Sequence, residues 1–134
     1  MKSLEHAAVG LAVGAAAALV LTPPGGLAAL VVLAVLVSVF IDLDHFVLAR
    51  FERGDWSNLR LAVTNPRVGL LEQEKVFEGF PRNFDLKRLL SHQLIGGVAV
   101  AGLVLAGNVL LAAFVGVVVY AHIVCDLLRD SGIA

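Results

Sequence analysis

The sequence predicts an all-α fold: an integral membrane bundle of about four transmembrane helices, with a cytoplasmic interfacial segment between the second and third. Of the 134 residues, 59% are hydrophobic and only 16% are charged. A water-soluble chain of this size would need a more polar surface, because small folds have a high ratio of surface to volume. Two long uncharged stretches also flank one polar segment, and turn residues interrupt each stretch. We therefore expect a single membrane domain over residues 1–134.

The first uncharged stretch covers residues 7–41. As one helix it would extend about 50 Å, because each residue adds about 1.5 Å, whereas the hydrocarbon core of a bilayer is about 30 Å thick. The sequence Thr-Pro-Pro-Gly-Gly at 22–26 marks a turn in its middle. We predict two spans, at about 4–21 and 27–45.

The second uncharged stretch, residues 93–125, is also too long for one span. Gly107 and Asn108 give a weaker turn signal, which predicts spans at about 89–106 and 109–128. Small residues allow membrane helices to approach closely, and we assign this role to the glycines inside the spans: Gly10, Gly14, Gly96, Gly97 and Gly102.

The polar segment between the two stretches covers about 48–88 and holds most of the charge and the single Trp. Trp56, Leu59 and Val63 recur at helical spacing, and the Asn-Pro pair at 65–66 would end that helix. One interpretation is an amphipathic helix that lies on the lipid headgroups. The alternative is a small soluble cap that packs on itself, and the sequence does not separate the two.

The basic residues predict the orientation. All 10 Lys and Arg fall in the N-terminus, the central segment or the C-terminus, and none falls in the two opposite turns. Positive residues favour the cytoplasmic side, so we expect a multi-pass protein of the cell (inner) membrane with its termini on that side. The basic residues are scattered and the net charge is −1, which gives no footprint for nucleic acid. The single cysteine excludes a disulfide framework.

The four histidines all fall near predicted helix ends, and an up-down-up-down bundle brings those ends to one face of the membrane. Carboxylates accompany them, and residues three or four apart on a helix share a face. We predict a shared metal site at this face, with seven candidate ligands: His6, Asp42, Asp44, His45, His92, His122 and Asp126.

Each of these residues also has an ordinary interpretation. A lone His at a bilayer boundary is usually an interfacial polar group, and an Asp can simply end a helix. Together they favour a shared site, because ionisable groups near a membrane are costly and usually face a partner. Imidazole and carboxylate ligands favour Zn, Mn, Fe or Mg, among which we expect Zn or Mn. Seven ligands exceed the four of one zinc site, so two ions are expected.

Two neighbouring divalent ions suit the hydrolysis of a phosphate ester, since one activates water and the other neutralises the leaving oxygen. Asp44 and Asp126 are the predicted catalytic carboxylates, either of which would double as general base. Three basic residues before His92 could bind the phosphate, or could simply anchor the third helix: Arg82, Lys87 and Arg88.

Three motifs resemble the YdjM-type family of membrane-bound, metal-dependent hydrolases. An early His followed by small residues is matched at 6–10, Asp-x-Asp-His at 42–45, and His-x-x-x-Asp at 122–126. The family's middle motif, His-Arg-Gly followed by Thr-His-Ser, is matched only by His92. The resemblance therefore implies one metal ligand and one phosphate-binding Arg fewer than the family pattern. The order of the motifs is also similar to that in zinc-dependent phospholipase C, which by resemblance implies a phosphoester substrate.

The expected function is that of a membrane-embedded, metal-dependent hydrolase in lipid metabolism, acting on a lipid or lipid-linked phosphate ester at the cytoplasmic face. A cation or proton transporter is an alternative, although the spans offer only Ser38 and Asn108 as polar groups away from the site. A non-catalytic membrane protein with a structural metal is another alternative.

Overall fold

The computed structural model describes residues 3–81 and 83–133, and every regular element in those ranges is helical. In chain order these are α1 (Ser3–Leu21), α2 (Leu27–Phe40), a 3₁₀ turn (Ile41–Leu43), α3 (Asp44–Arg53), α4 (Ser57–Thr64), α5 (Pro66–Leu71), α6 (Gln73–Val76), α7 (Phe84–Leu105) and α8 (Val109–Asp130). Four helical segments are long and apolar enough to cross a membrane: α1, the continuous run from α2 through α3, α7 and α8. The predicted all-α membrane fold is confirmed.

The two turns opposite the central segment lie where the sequence places them. In the first, Thr22 and Gly25 have positive φ angles of 45° and 129°. In the second, Gly107 has a φ of 79°, its N–H donates to Val104 O, and the N–H of Asn108 donates to Leu103 O, both over 2.9 Å. This pair of bonds is a Schellman cap, which satisfies the last carbonyls of α7 and turns the chain back into α8.

Two helices extend further than the predicted spans. The second span continues beyond residue 45 to Arg53, where Gly54 ends it in the left-handed conformation with a φ of 83°. The third begins at Phe84 rather than near residue 89. Phe84 is buried and packs against Phe80, with ring centroids 4.3 Å apart, so an aromatic contact holds the first turn of α7.

Glycines bring the helices together at two interfaces. A Cβ atom added at Gly14 would lie 2.3 Å from Ala34 Cβ, and one added at Gly96 would lie 2.6 Å from Val119 Cγ1. Helix α1 therefore packs closely on α2, and α7 packs closely on α8. The close-packing assignment is wrong for Gly97 and Gly102, where an added Cβ would meet no atom of the described chain within 4 Å.

The bundle core forms where α1, α2 and α8 meet, and α7 packs against the outer side of α8. Phe114 and Ala34 are fully buried there. This arrangement brings the start of α1, the α2–α3 junction, the first half of α7 and the second half of α8 to one end of the bundle. The short helices α4, α5 and α6 lie at the same end.

The central segment combines features of both sequence interpretations. It packs on itself through the buried Asn58, whose side-chain amide donates to Val76 O. It also leaves Trp56 and Val63 exposed, as expected for a surface that contacts headgroups. Away from the spans, a hydrogen bond from Lys75 lowers the pKa of the partly exposed Glu72 carboxyl.

Candidate metal centre

The α2–α3 junction determines how the carboxylates of the Asp-x-Asp-His motif point. The junction is a 3₁₀ turn, in which residues three apart are eclipsed. Asp42 and His45 therefore face the same way, with Asp42 Oδ1 3.5 Å from His45 Nε2. Both side chains are buried.

A first group of ligands joins α1, the junction and α8. Its members are His6, Asp42, His122 and Asp126, all buried. Asp126 Oδ1 lies 3.2 Å from His6 Nε2, and Asp126 Oδ2 lies 3.5 Å from His122 Nε2. The rings of His6 and His122 stack with centroids 3.9 Å apart, so their Nε2 atoms point to the same carboxylates.

A second group joins the junction to α7 and consists of Asp42, His45 and His92. The Nε2 atoms of His45 and His92 lie 3.0 Å apart, and Asp42 Oδ1 lies 3.2 Å from His92 Nε2. Asp42 belongs to both groups, because its Oδ2 atom is also 3.5 Å from His6 Nε2. One carboxylate thus lies between two sets of imidazoles.

The spacing of these atoms fits the shell of a divalent ion. In a tetrahedral shell with bonds of about 2.0–2.1 Å, neighbouring ligand atoms are about 3.3–3.4 Å apart, whereas charge-assisted hydrogen bonds span about 2.7–2.9 Å. The His–carboxylate distances within the first group are 3.2–3.5 Å. The Nε2 atoms of His6 and His122 thus meet these carboxylates at the spacing of shared ligands rather than of short hydrogen bonds. Buried polar atoms are normally satisfied, so this donor set is compatible with metal binding.

Asp44 is placed differently from the other carboxylates and belongs to neither group. Its Oδ2 atom lies 2.9 Å from Nδ1 of His92 and also accepts a hydrogen bond from Ser91 Oγ. Its Oδ1 atom is 3.6 Å from His45 Nε2. A carboxylate that holds the far nitrogen of a His fixes the tautomer and the orientation of the ring. The predicted ligand and catalytic roles of Asp44 stay predictions.

Of the three basic residues predicted to bind phosphate, Arg88 reaches the site. Its Nε atom donates to His45 Nε2 over 3.2 Å, and its Nη1 atom lies 3.2 Å from Asp85 Oδ1. Lys87 instead pairs with Glu52. Arg82 lies outside the described residues. Arg88 therefore places a guanidinium beside His45.

A cavity of about 450 Å³ opens beside the second group. Asp42, His45 and Arg88 line its polar end, and apolar side chains from α2 and α4, together with Phe46 and Phe77, line much of the rest. Arg129 and Asp130 also line it. These two residues were not predicted from the sequence, although they lie three and four positions after Asp126 and so share its helix face. Ser91 was also missed, and its position directly before His92 was the available signal.

Four apolar helices that converge on buried His and Asp side chains define an integral membrane protein with a candidate metal centre. The whole chain, residues 1–134, matches the family model described as YdjM inner membrane protein. The chain therefore belongs to the YdjM inner membrane protein family, which confirms the resemblance seen in the motifs. No curated protein and no solved structure matches it.

Proposed function

We propose that this protein is a membrane-embedded, metal-dependent hydrolase that cleaves a phosphate ester at the cytoplasmic face of the membrane. The observation that carries the proposal is the position of Asp42. Its carboxylate belongs both to a group of four buried ligands and to a group of three, because Oδ2 lies near His6 and Oδ1 lies near His92. A shared carboxylate of this kind suits two neighbouring ions.

The two groups would have different tasks. His6, His122, Asp126 and Asp42 would provide four ligands for one ion, while His45, His92 and Asp42 would provide three for the other. A site with three protein ligands keeps a position for water or a substrate oxygen, as catalytic zinc sites do. Bound divalent ions such as Zn or Mn would supply a nucleophilic water near neutral pH and neutralise charge on the leaving oxygen.

The remaining polar side chains would bind and orient the substrate and the ligands. Arg88 would exchange its bond to His45 for the phosphate oxygens, to which a planar guanidinium can donate two parallel hydrogen bonds. Asp44 would hold His92 in position. Asp42, unlike Asp126, is among the residues that line the cavity, so the carboxylate shared by the two ions would face the substrate.

The cytoplasmic location of the site is part of the proposal. The basic residues of α3 and α8 lie at the end of the bundle that carries the site, and the turns at 22–26 and 107–108 contain none. Basic residues near the ends of spans favour the cytoplasmic side. The termini and the site would then share that side.

Two other functions use the same ligands. A transporter needs a polar path through the bundle, yet beyond the buried Ser38, one turn before Asp42, the described core consists of apolar side chains such as Phe114 and Val118. A structural metal needs a closed shell of four ligands, whereas the second group has three and borders a cavity. Both features favour an enzyme over these alternatives.

The experiment is metal analysis of the purified full chain, followed by hydrolysis assays on phospholipids and on water-soluble phosphomonoesters. We expect bound divalent metal and phosphate release that chelation abolishes. His92→Ala should lose this activity, and Arg67→Ala, which changes an exposed charge on α5, should keep it. Metal-loaded protein that cleaves no phosphoester class would overturn the proposal in favour of a structural metal.

A further inference from the structure

The cavity beside the second ligand group has a polar end and an apolar wall. Two helical segments supply most of the apolar wall, and Phe46 and Phe77 also line it. Val39, Phe40 and Leu43 come from the end of α2 and the 3₁₀ turn, and Leu59, Ala62 and Val63 come from α4. Helix α4 thus covers a surface of the second span, and the space between them leads to the candidate metal centre.

The rim of this space is also apolar. Phe40 is 55% exposed, Leu43 is 52% exposed and Val63 is 70% exposed. The first two belong to a helical run that is long and apolar enough to cross the membrane, so in a bilayer their exposed faces would border the hydrocarbon. A molecule can therefore enter the cavity from the lipid without leaving an apolar environment.

With divalent ions held by the two ligand groups, the polar end of the cavity would favour an anion. Arg88 and Arg129 line this end together with the metal-ligand candidates Asp42 and His45. Arg129 pairs with Glu5 and Arg88 pairs with Asp85. Arg88 also donates to His45, which places its guanidinium against the ligand group. A phosphate seated there would have its organic substituent directed along the apolar wall.

We infer that the cavity binds a lipid phosphate, with the phosphate at the metal centre and one hydrocarbon chain between α2 and α4. This inference rests on the proposed function and names its substrate class. A volume of about 450 Å³ lies in the lower part of the range of about 300–1,000 Å³ for ligand sites. It suits a headgroup with one chain rather than two. Measured against the aqueous concentration, each methylene that leaves water raises affinity about fourfold. The bilayer alone gives the same gain, so the comparison between cavity variants is what isolates the contribution of the cavity.

The test measures binding, so that it does not depend on catalysis. Non-hydrolysable monoalkyl phosphonates of increasing chain length are titrated against the full chain in lipid nanodiscs. Ala62→Phe fills the apolar wall, and Leu61→Phe is the matched control, since Leu61 is the neighbouring residue of α4 and lies outside the cavity lining. Leu59→Asn makes the same wall polar and serves as a second variant if Ala62→Phe does not fold.

We expect affinity to rise with chain length in the wild type and in Leu61→Phe. The rise should be at least tenfold weaker in Ala62→Phe or Leu59→Asn, with metal content unchanged. Affinity that is independent of chain length, or equal gains in all variants, would overturn the lipid site even if short phosphates are hydrolysed. Chain-dependent binding without hydrolysis of any phosphoester would refute the proposed enzyme and leave the lipid site standing.

Discussion

Asp44 and His92 join α3 to α7 through a contact between Oδ2 and Nδ1 that measures 2.9 Å. Because a carboxylate accepts the Nδ1 proton, Nε2 is the ring nitrogen that faces Asp42, at 3.2 Å. Ser91 donates a hydrogen bond to the same carboxylate oxygen. The orientation of one proposed ligand is therefore fixed by residues outside the two ligand groups.

Replacing Asp44 by Asn should lower metal affinity about 10–100-fold, the usual cost of losing the carboxylate that orients a ligating His. Competition with a fluorescent chelator measures the affinity. Asp55→Asn, at an exposed acid between α3 and α4, should leave it unchanged. Complete loss of metal in Asp44→Asn would instead identify Asp44 as a direct ligand, and unchanged affinity would exclude either role.

His122→Ala should remove more metal than Asp44→Asn, because His122 is a proposed direct ligand that is fully buried between Asp42 and Asp126. Arg67→Ala is the control, since Arg67 is an exposed residue paired with Glu72 on the central segment. Elemental analysis of purified His122→Ala and Arg67→Ala gives the metal occupancy of each, and circular dichroism verifies that both fold. Equal occupancy in the two would rule out the first ligand group.

The fold was largely predictable because its signals are local. The Pro-Pro-Gly-Gly sequence and the Gly107–Asn108 pair both became turns, since each supplies the backbone conformations that end a helix. The continuation of the second span to Arg53 was not predicted. Its signal was present, however, because Arg50 and Arg53 followed by Gly54 is a normal helix C-terminus.

The number of helices was enough to predict that the histidines converge at one end of the bundle. It was not enough to predict which side chains each histidine contacts. The contacts of His92 with Asp44 and His45 join residues 48 and 47 positions apart. Sequence spacing shows which residues share a face of one helix and not which face turns toward another helix. For the same reason, Arg88 could be predicted near the site but not beside His45. Gly97 and Gly102 were predicted to pack against another helix, although an added Cβ at either position meets no described atom within 4 Å.

Adjacent glycines of α7 should respond oppositely to the same substitution. Gly96→Ala forces a Cβ atom against Val119, and overpacking of this kind costs about 1–3 kcal/mol. Gly97→Ala meets open space and should be neutral or stabilising by up to about 1 kcal/mol, because Ala favours helix. Thermal unfolding in detergent compares the two. A similar loss of stability in both would mean that a further surface covers Gly97.

The orientation can be tested with single cysteines after Cys125→Ser. Gly26 suits a reporter in the first turn, because its φ is −79° and an added Cβ meets no described atom within 4 Å. An impermeant maleimide should label Gly26→Cys from outside the cytoplasmic membrane, and should label Arg60→Cys, on α4, only after the cells are opened. The reverse pattern would place the site on the outer side.

Asp126→Asn tests whether the buried ligand groups serve catalysis. Asp126 lies between His6 and His122 in the first group and is almost fully buried. Asn keeps the shape of the side chain but removes a negative charge from the proposed ligand shell, so the packing of α8 should change little. We expect hydrolysis of lipid phosphate to fall at least about 100-fold, because the charge that would hold one divalent ion is lost. Thermal unfolding of the metal-free protein measures the stability that is lost with the contacts of Asp126 to His6 and His122, and Asp55→Asn should retain full activity. If the variant loses metal but keeps its rate, the first group would have a structural role, and catalysis would be assigned to Asp42, His45 and His92 alone.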